Sequence, residues 1–220
     1  MLSVPAQDNA NSASLSKTYS TFSGSNLLQY SFPSCTLGAA SNNRIVVIGV
    51  ALEVGVVNVT INGTEANLIR SANTSGEVNT AFTSRACLAW LPVPSGTICN
   101  VVYNCITTGG RAGIEVYNVY PKSLTPANVA VTTRANTHVF RAPRNSVTMI
   151  ASGQPVTTPV PNTVWDASET YTKYSSAYSG ANYWINDYSS NAAVKSGVVT
   201  WTNYAGAPNN TTETVSVTFR

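Results

Sequence analysis

Four cysteines, one histidine and nine carboxylates are the residues of this 220-residue chain whose chemistry could reach beyond packing. Three of the cysteines, Cys87, Cys99 and Cys105, lie in the stretch CLAWLPVPSGTICNVVYNC. Zinc sites pair cysteines two to four residues apart with a second Cys or His pair. Here eleven residues separate Cys87 from Cys99, five separate Cys99 from Cys105, and Cys35 and His138 are remote. The spacing therefore predicts no metal. Cys99 and Cys105 fall on one predicted strand, roughly 20 Å apart at the usual rise, and cannot bond to each other. A turn at Pro94-Ser95 would set Cys87 roughly opposite Tyr103, so a bulge could bring Cys105 within reach. A Cys87–Cys105 cross-strand disulfide is thus the alternative; the favoured expectation is free, buried thiols acting as small apolar side chains.

The catalytic templates fail in turn. A Ser-His-Asp arrangement would have to use His138, and the chain has no G-x-S-x-G. A lone histidine in a Thr- and Asn-rich loop reads as surface. Glu53 and Glu115 sit in apolar strands and could form a carboxylate pair across a groove. The competing expectation is that they face outward or pair with Arg44 or Arg111. Asp166 and Glu169 stand beside Trp165, as sugar-binding carboxylates can. There is no phosphate-binding loop, and the acids are too scattered for a calcium loop. The expectation is no enzyme and no cofactor.

One segment is rich in contact-forming residues. Trp165, Tyr171, Tyr174, Tyr178, Tyr183, Trp184 and Tyr188 lie among Ser, Asn and Gly between 165 and 188. Tyr and Trp give rigid area with a polar tip, suited to sugars or a protein partner. The alternative is a hairpin whose aromatics pack across a sheet.

The elements that must position these residues are strands. Charged residues are only 10% and hydrophobic residues 43%, so Ser, Thr, Asn and Gln make the polar surface. Val, Thr, Tyr and Ile recur in short runs broken by Gly, Pro and Asn, an all-β composition. NNRIVVIGVALEV reads as a strand covered on both faces or one at the centre of a sandwich. Asn62-Gly63 marks a hairpin between VVNVTI and TEANLIR. Gly109-Gly110 turns the next strand into AGIEVYNVY, and TETVSVTF closes the chain. A short helix near 121–127 is the only helical expectation, with Pro and Ser at its start. About a dozen strands at this spacing predict an antiparallel β-sandwich. Residues 1–16 read as an N-terminal arm and 17–220 as a single sandwich domain.

The net charge of +3 comes from twelve scattered cations, which argues against nucleic acid as a partner. No apolar window is long enough for a transmembrane helix, and MLSVPAQDNANSASLSK lacks the regions of a secretory signal. A surface that looks extracellular on a chain without a signal fits a virus particle, assembled in the cytoplasm and acting outside it.

RIVVIGVALE, VTINGTEANLI, CLAWLPVPSG and AGIEVYNVY, in that order, resemble β-sandwich structural proteins of tailed phages and prophages. The features fall on Arg44 to Val50, Val59 to Leu68, Leu88 to Gly96 and Gly113 to Val119. The resemblance implies a jelly-roll-like sandwich in the virion, assembled in the host cytoplasm. The expected function is a capsid decoration or cement protein bound to the major capsid protein or other virion proteins, a homotrimer by analogy. The alternative is a tail-fibre, head-spike or receptor-binding component that recognises host glycans through the 165–188 aromatics.

Overall fold

The computed structural model describes residues 13–25, 27–52, 55–71, 85–109, 112–133, 137–143, 145–154, 182–190, 197–202 and 213–220. Among them every regular element is a strand. The first nine are β1 (Ser14–Ser23), β2 (Leu27–Thr36), β3 (Ile45–Leu52), β4 (Val56–Ile61), β5 (Thr64–Glu65), β6 (Asn67–Arg70), β7 (Arg85–Pro92), β8 (Ile98–Gly109) and β9 (Ala112–Tyr120). Six follow: β10 (Asn128–Thr132), β11 (Thr137–Ala142), β12 (Ser146–Gln154), β13 (Asn182–Ser190), β14 (Gly197–Thr202) and β15 (Glu213–Phe219).

The antiparallel pairs of the first nine strands nest. β4 pairs with β5, β3 with β7, β2 with β8 and β1 with β9. A long hairpin rolled up in this way is a jelly roll. It gives an inner sheet in the order β1-β9-β3-β7-β6 and an outer sheet in the order β2-β8-β4-β5. Tyr30, Phe32, Val46, Ile48, Val59, Val101, Tyr103, Ile114 and Val116 fill the space between the two sheets. Tyr103 stacks on both Tyr30 and Phe32, with ring centroids 5.1 and 5.7 Å apart.

A third sheet, β10-β15-β12-β13, covers the other face of the inner sheet. Strand alternation supplies both cores. On β3, Val46, Ile48 and Val50 point to the outer sheet, while Ile45 and Val47 point to the covering sheet. Leu88, Trp90, Tyr117, Met149, Val215, Val217 and Phe219 complete this second core. The central sheet therefore needs apolar side chains on both faces, which is why NNRIVVIGVALEV is a continuous apolar run. On the far side of the covering sheet, the two-stranded ribbon β11-β14 packs against β10 and β15.

Three sequence expectations change in detail. Asn62 and Gly63 have φ of 52° and 78°, the positive values of a tight hairpin turn, as expected. The return strand splits, however. β5 stays in the outer sheet for two residues, and after Ala66 the chain crosses as β6 to pair with β7. Second, Pro94-Ser95-Gly96, with Gly96 at φ 82°, arches between sheets rather than closing a hairpin. β7 and β8 are not neighbours. Third, residues 121–127 form no helix. Pro121 and Pro126 leave too little chain between them. The Lys122 and Ser123 amides bond instead to the Arg220 carbonyl, and the Ala127 amide to that of Thr218. β1 begins at Ser14, within the segment expected to be an arm.

Candidate functional site

The residues singled out for chemistry are mostly interior. All four cysteines are free and buried. Cys87 lies on the inner sheet and Cys105 on the outer sheet, so they face each other across the first core, not across a hairpin. Burial pushes the Cys105 thiol up to about 11. It pushes Cys87 up to about 12, against the opposing charge of Arg70.

His138 is fully buried, not on the surface. The covering sheet alternates Val215, Val217 and Phe219 toward the inner sheet with Thr214, Ser216 and Thr218 on its other face. His138, Phe140 and Ala142 of β11 are the buried positions of the ribbon strand. His138 Nε2 lies 2.8 Å from Ser216 Oγ, and Nδ1 lies 2.8 Å from Thr132 Oγ1. Thr148 and Thr218 hydroxyls meet at 2.8 Å in the same layer. Burial lowers the His138 pKa to about 4, so the imidazole is neutral at pH 7. A serine beside a histidine has the composition of a nucleophile and base. Here both are sealed between sheets, and the histidine serves to satisfy the buried Ser216 hydroxyl and the partly buried one of Thr132.

Glu115 is also interior, neither outward-facing nor bonded to Arg44, while Arg111 lies outside the described residues. Lys17 Nζ lies 2.6 Å from its Oε1, and the Tyr117 hydroxyl donates to Oε2 at 2.6 Å. β9 supplies Glu115 and Tyr117 from one face, and β1 brings Lys17 opposite Tyr117. Removing the lysine charge should weaken the hold on a buried carboxylate. Lys17→Met is expected to lower stability by about 2 kcal/mol, and Glu115→Gln in the same chain to recover most of the loss. Urea unfolding of the two variants checks this. Glu53 lies outside the described residues, so the proposed carboxylate pair has only one placed member. Asp166 and Glu169 lie outside them too.

Arg44 is fully buried, and its guanidinium donates only to main-chain carbonyls in its assigned bonds. Nε reaches Val93 at 2.7 Å, Nη1 reaches Gly38 at 2.5 Å, and Nη2 reaches Ser95 at 2.6 Å and Gly96 at 3.0 Å. It thereby ties the start of β3 to the arch between β7 and β8. No cluster of three or more His, Cys, Asp or Glu among the described residues could hold a metal.

Of the candidate aromatic surface, Trp165, Tyr171, Tyr174 and Tyr178 lie outside the described residues. Tyr183, Trp184 and Tyr188 fall on β13, the last strand of the covering sheet. Backbone register sets them opposite Gly153, Ser152 and Thr148 of β12.

The surface feature that sequence reasoning missed is the solvent face of the outer sheet. β2, β8 and β4 contain no charged residue at all. Amide side chains bridge the three strands: Gln29 Nε2 donates to Asn104 Oδ1 at 2.8 Å, and Asn104 Nδ2 to Asn58 Oδ1 at 2.7 Å. Ile98, Ile106 and Val57 flank this ladder, each at least half exposed (55%, 51% and 50%). Asn100 extends the polar network, its Oδ1 accepting from the Ser34 main-chain N–H at 3.0 Å while its own main-chain N–H donates to Asn62 Oδ1 at 2.9 Å. A hydrogen-bonded amide row holds its side chains in place, so covering it costs little rotamer entropy. The sequence held a signal in the absence of charge from three strands, but strand order was needed to make them neighbours. No protein-family model matches this chain, and no similar curated protein or solved structure is found.

Proposed function

We propose that this chain is a non-catalytic structural protein of a virion, a decoration protein that cements the head of a tailed phage by binding its major capsid protein. The observation that carries the reading is the set of three charge-free strands β2, β8 and β4 of the outer sheet, with their pre-ordered amides and exposed Ile98, Ile106 and Val57. Such a face loses few hydration shells of ions when covered, and it suits a lasting protein contact better than a charge-steered encounter. The burial of His138 and Glu115 in structural bonds agrees with a scaffold role. Jelly rolls serve in viral capsids and also in lectins, so the fold by itself does not choose between them.

The test is attachment to particles. Purified virions should carry the protein in numbers comparable with the shell protein; a handful of copies per particle overturns the reading. Ile98→Lys with Ile106→Lys should abolish attachment while leaving the unfolding midpoint within about 0.5 kcal/mol of the parent. Retained attachment of this variant would remove the outer sheet from the interface. The alternative, glycan recognition through the 165–188 aromatics, predicts that Trp165→Ala and Trp184→Ala abolish binding on a glycan array.

A further inference from the structure

Cys35 and Cys99 stand directly opposite each other on β2 and β8. Directly opposed residues of antiparallel strands have Cα atoms roughly 4.5–5.5 Å apart, inside the span a disulfide bridges. Both side chains point into the first core, at 0% and 1% exposure. This facing is not what plain alternation gives. Tyr30 and Phe32 face inward, so an unbroken strand would turn Ser34 inward and Cys35 out. The register slips between Phe32 and Cys35, and Ser34 takes the left-handed φ of 57°. A non-glycine residue there stores strain of order 1 kcal/mol. The bulge reverses the parity of β2 and brings the Cys35 thiol in against Cys99.

We propose that Cys35 and Cys99 are a dithiol site that closes to a cross-strand disulfide when the protein meets an oxidising disulfide such as oxidised glutathione. The Cys35 thiol donates to the Phe32 carbonyl at 3.2 Å, and the same proton can turn to the neighbouring Cys99 sulfur once that is a thiolate. The hydrogen bond from Cys35 draws the Cys99 thiol below its ordinary range; burial opposes this, and the nearby Arg44 charge assists. The same bond, then burial, pushes Cys35 up. Cys99 is therefore the attacking thiolate. It displaces one glutathione thiolate from the oxidant and forms a mixed disulfide. Cys35 then loses its proton and attacks the Cys99 sulfur, releasing the second glutathione. Two electrons pass to the oxidant, and the two thiol protons end on two molecules of glutathione. β2 is an edge strand, so opening its end exposes the pair without unfolding the core. Cys87 and Cys105 sit on different sheets, and burial holds both as thiols. The inference does not depend on the virion reading.

The experiment incubates the full chain with oxidised glutathione, alkylates it under denaturing conditions and maps the peptides by mass spectrometry. The expected product is a Cys35–Cys99 linked peptide pair with Cys87 and Cys105 alkylated, and a melting temperature raised by roughly 5–10 °C. Cys99→Ala should abolish the link and the shift; Cys105→Ala should keep both. Four alkylated cysteines after prolonged oxidation, or a link between any other two, overturns the proposal. If Cys99→Ala does not fold, Cys35→Ala serves the same purpose, and the parent peptide map decides by itself.

Discussion

Arg44→Met is expected to lower the unfolding free energy by at least about 3 kcal/mol, a large share of what a domain has. The substitution keeps the apolar stem and removes the guanidinium. Four carbonyls, of Gly38, Val93, Ser95 and Gly96, lose their donor at once. Water cannot readily replace it at the buried Val93 carbonyl. The loss also frees the arch between β7 and β8, which is the point where the chain passes from the inner to the outer sheet. Arg44→Lys is expected to recover less than half of the deficit. An ammonium is a compact charge and cannot present the planar fork that spans three chain segments. Urea denaturation measures both. A loss below about 1 kcal/mol for Arg44→Met would mean that the carbonyls find other partners and that the arch is held by packing alone.

The second large effect is a loss of stability in acid that traces to one residue. His138 is buried neutral, with its pKa lowered to about 4 by desolvation against an unfolded value near 6.5. A depressed folded pKa means that the unfolded chain takes up the proton first. The stabilisation is therefore full above pH 6.5, declines as the pH falls, and is lost once the pH has passed through 4. The expected decrease between pH 7 and pH 4 is on the order of 3 kcal/mol. His138→Gln has no proton to gain. It should flatten this part of the pH profile even if it is less stable throughout. Unfolding free energies across that range, for parent and variant, check the prediction. An equal slope in both would assign the acid loss to groups other than His138.

How much of this was legible beforehand follows from the range of each signal. The apolar strand at Ile45–Leu52 was legible as a central strand, because its run of apolar residues fits burial on both faces or a sandwich centre; the structure decides for both faces. The Asn62-Gly63 turn was equally legible, because its backbone conformation restricts the residue type. The arch at Pro94-Ser95-Gly96 was found as a turn but not as a crossing. A turn signal reports a local bend, whereas the sheet that the next strand joins depends on pairings far away in sequence. The misplaced Cys87 followed from that. Cys35 escaped notice for the opposite reason: its partner lies 64 residues further along (99 − 35), and a bulge reversed its facing.

His138 and Glu115 taught a similar lesson. Their neighbours in sequence suggest a surface loop residue and a carboxylate that faces outward or pairs with Arg44. The partners that fix their roles, Ser216 and Lys17, come from strands 78 and 98 residues away.

The sequence by itself determined the all-β class, the sandwich, the apolar central strand and the residues that turn the chain. These depend on alternation and backbone preference within a few residues. Only the tertiary structure decided that a further sheet covers the jelly roll, that Cys35 meets Cys99, that Arg44 clamps an arch, and that three charge-free strands form one face. Each of these is a contact between segments far apart along the chain, and pairing at that distance is set by how the whole set of strands can pack at once.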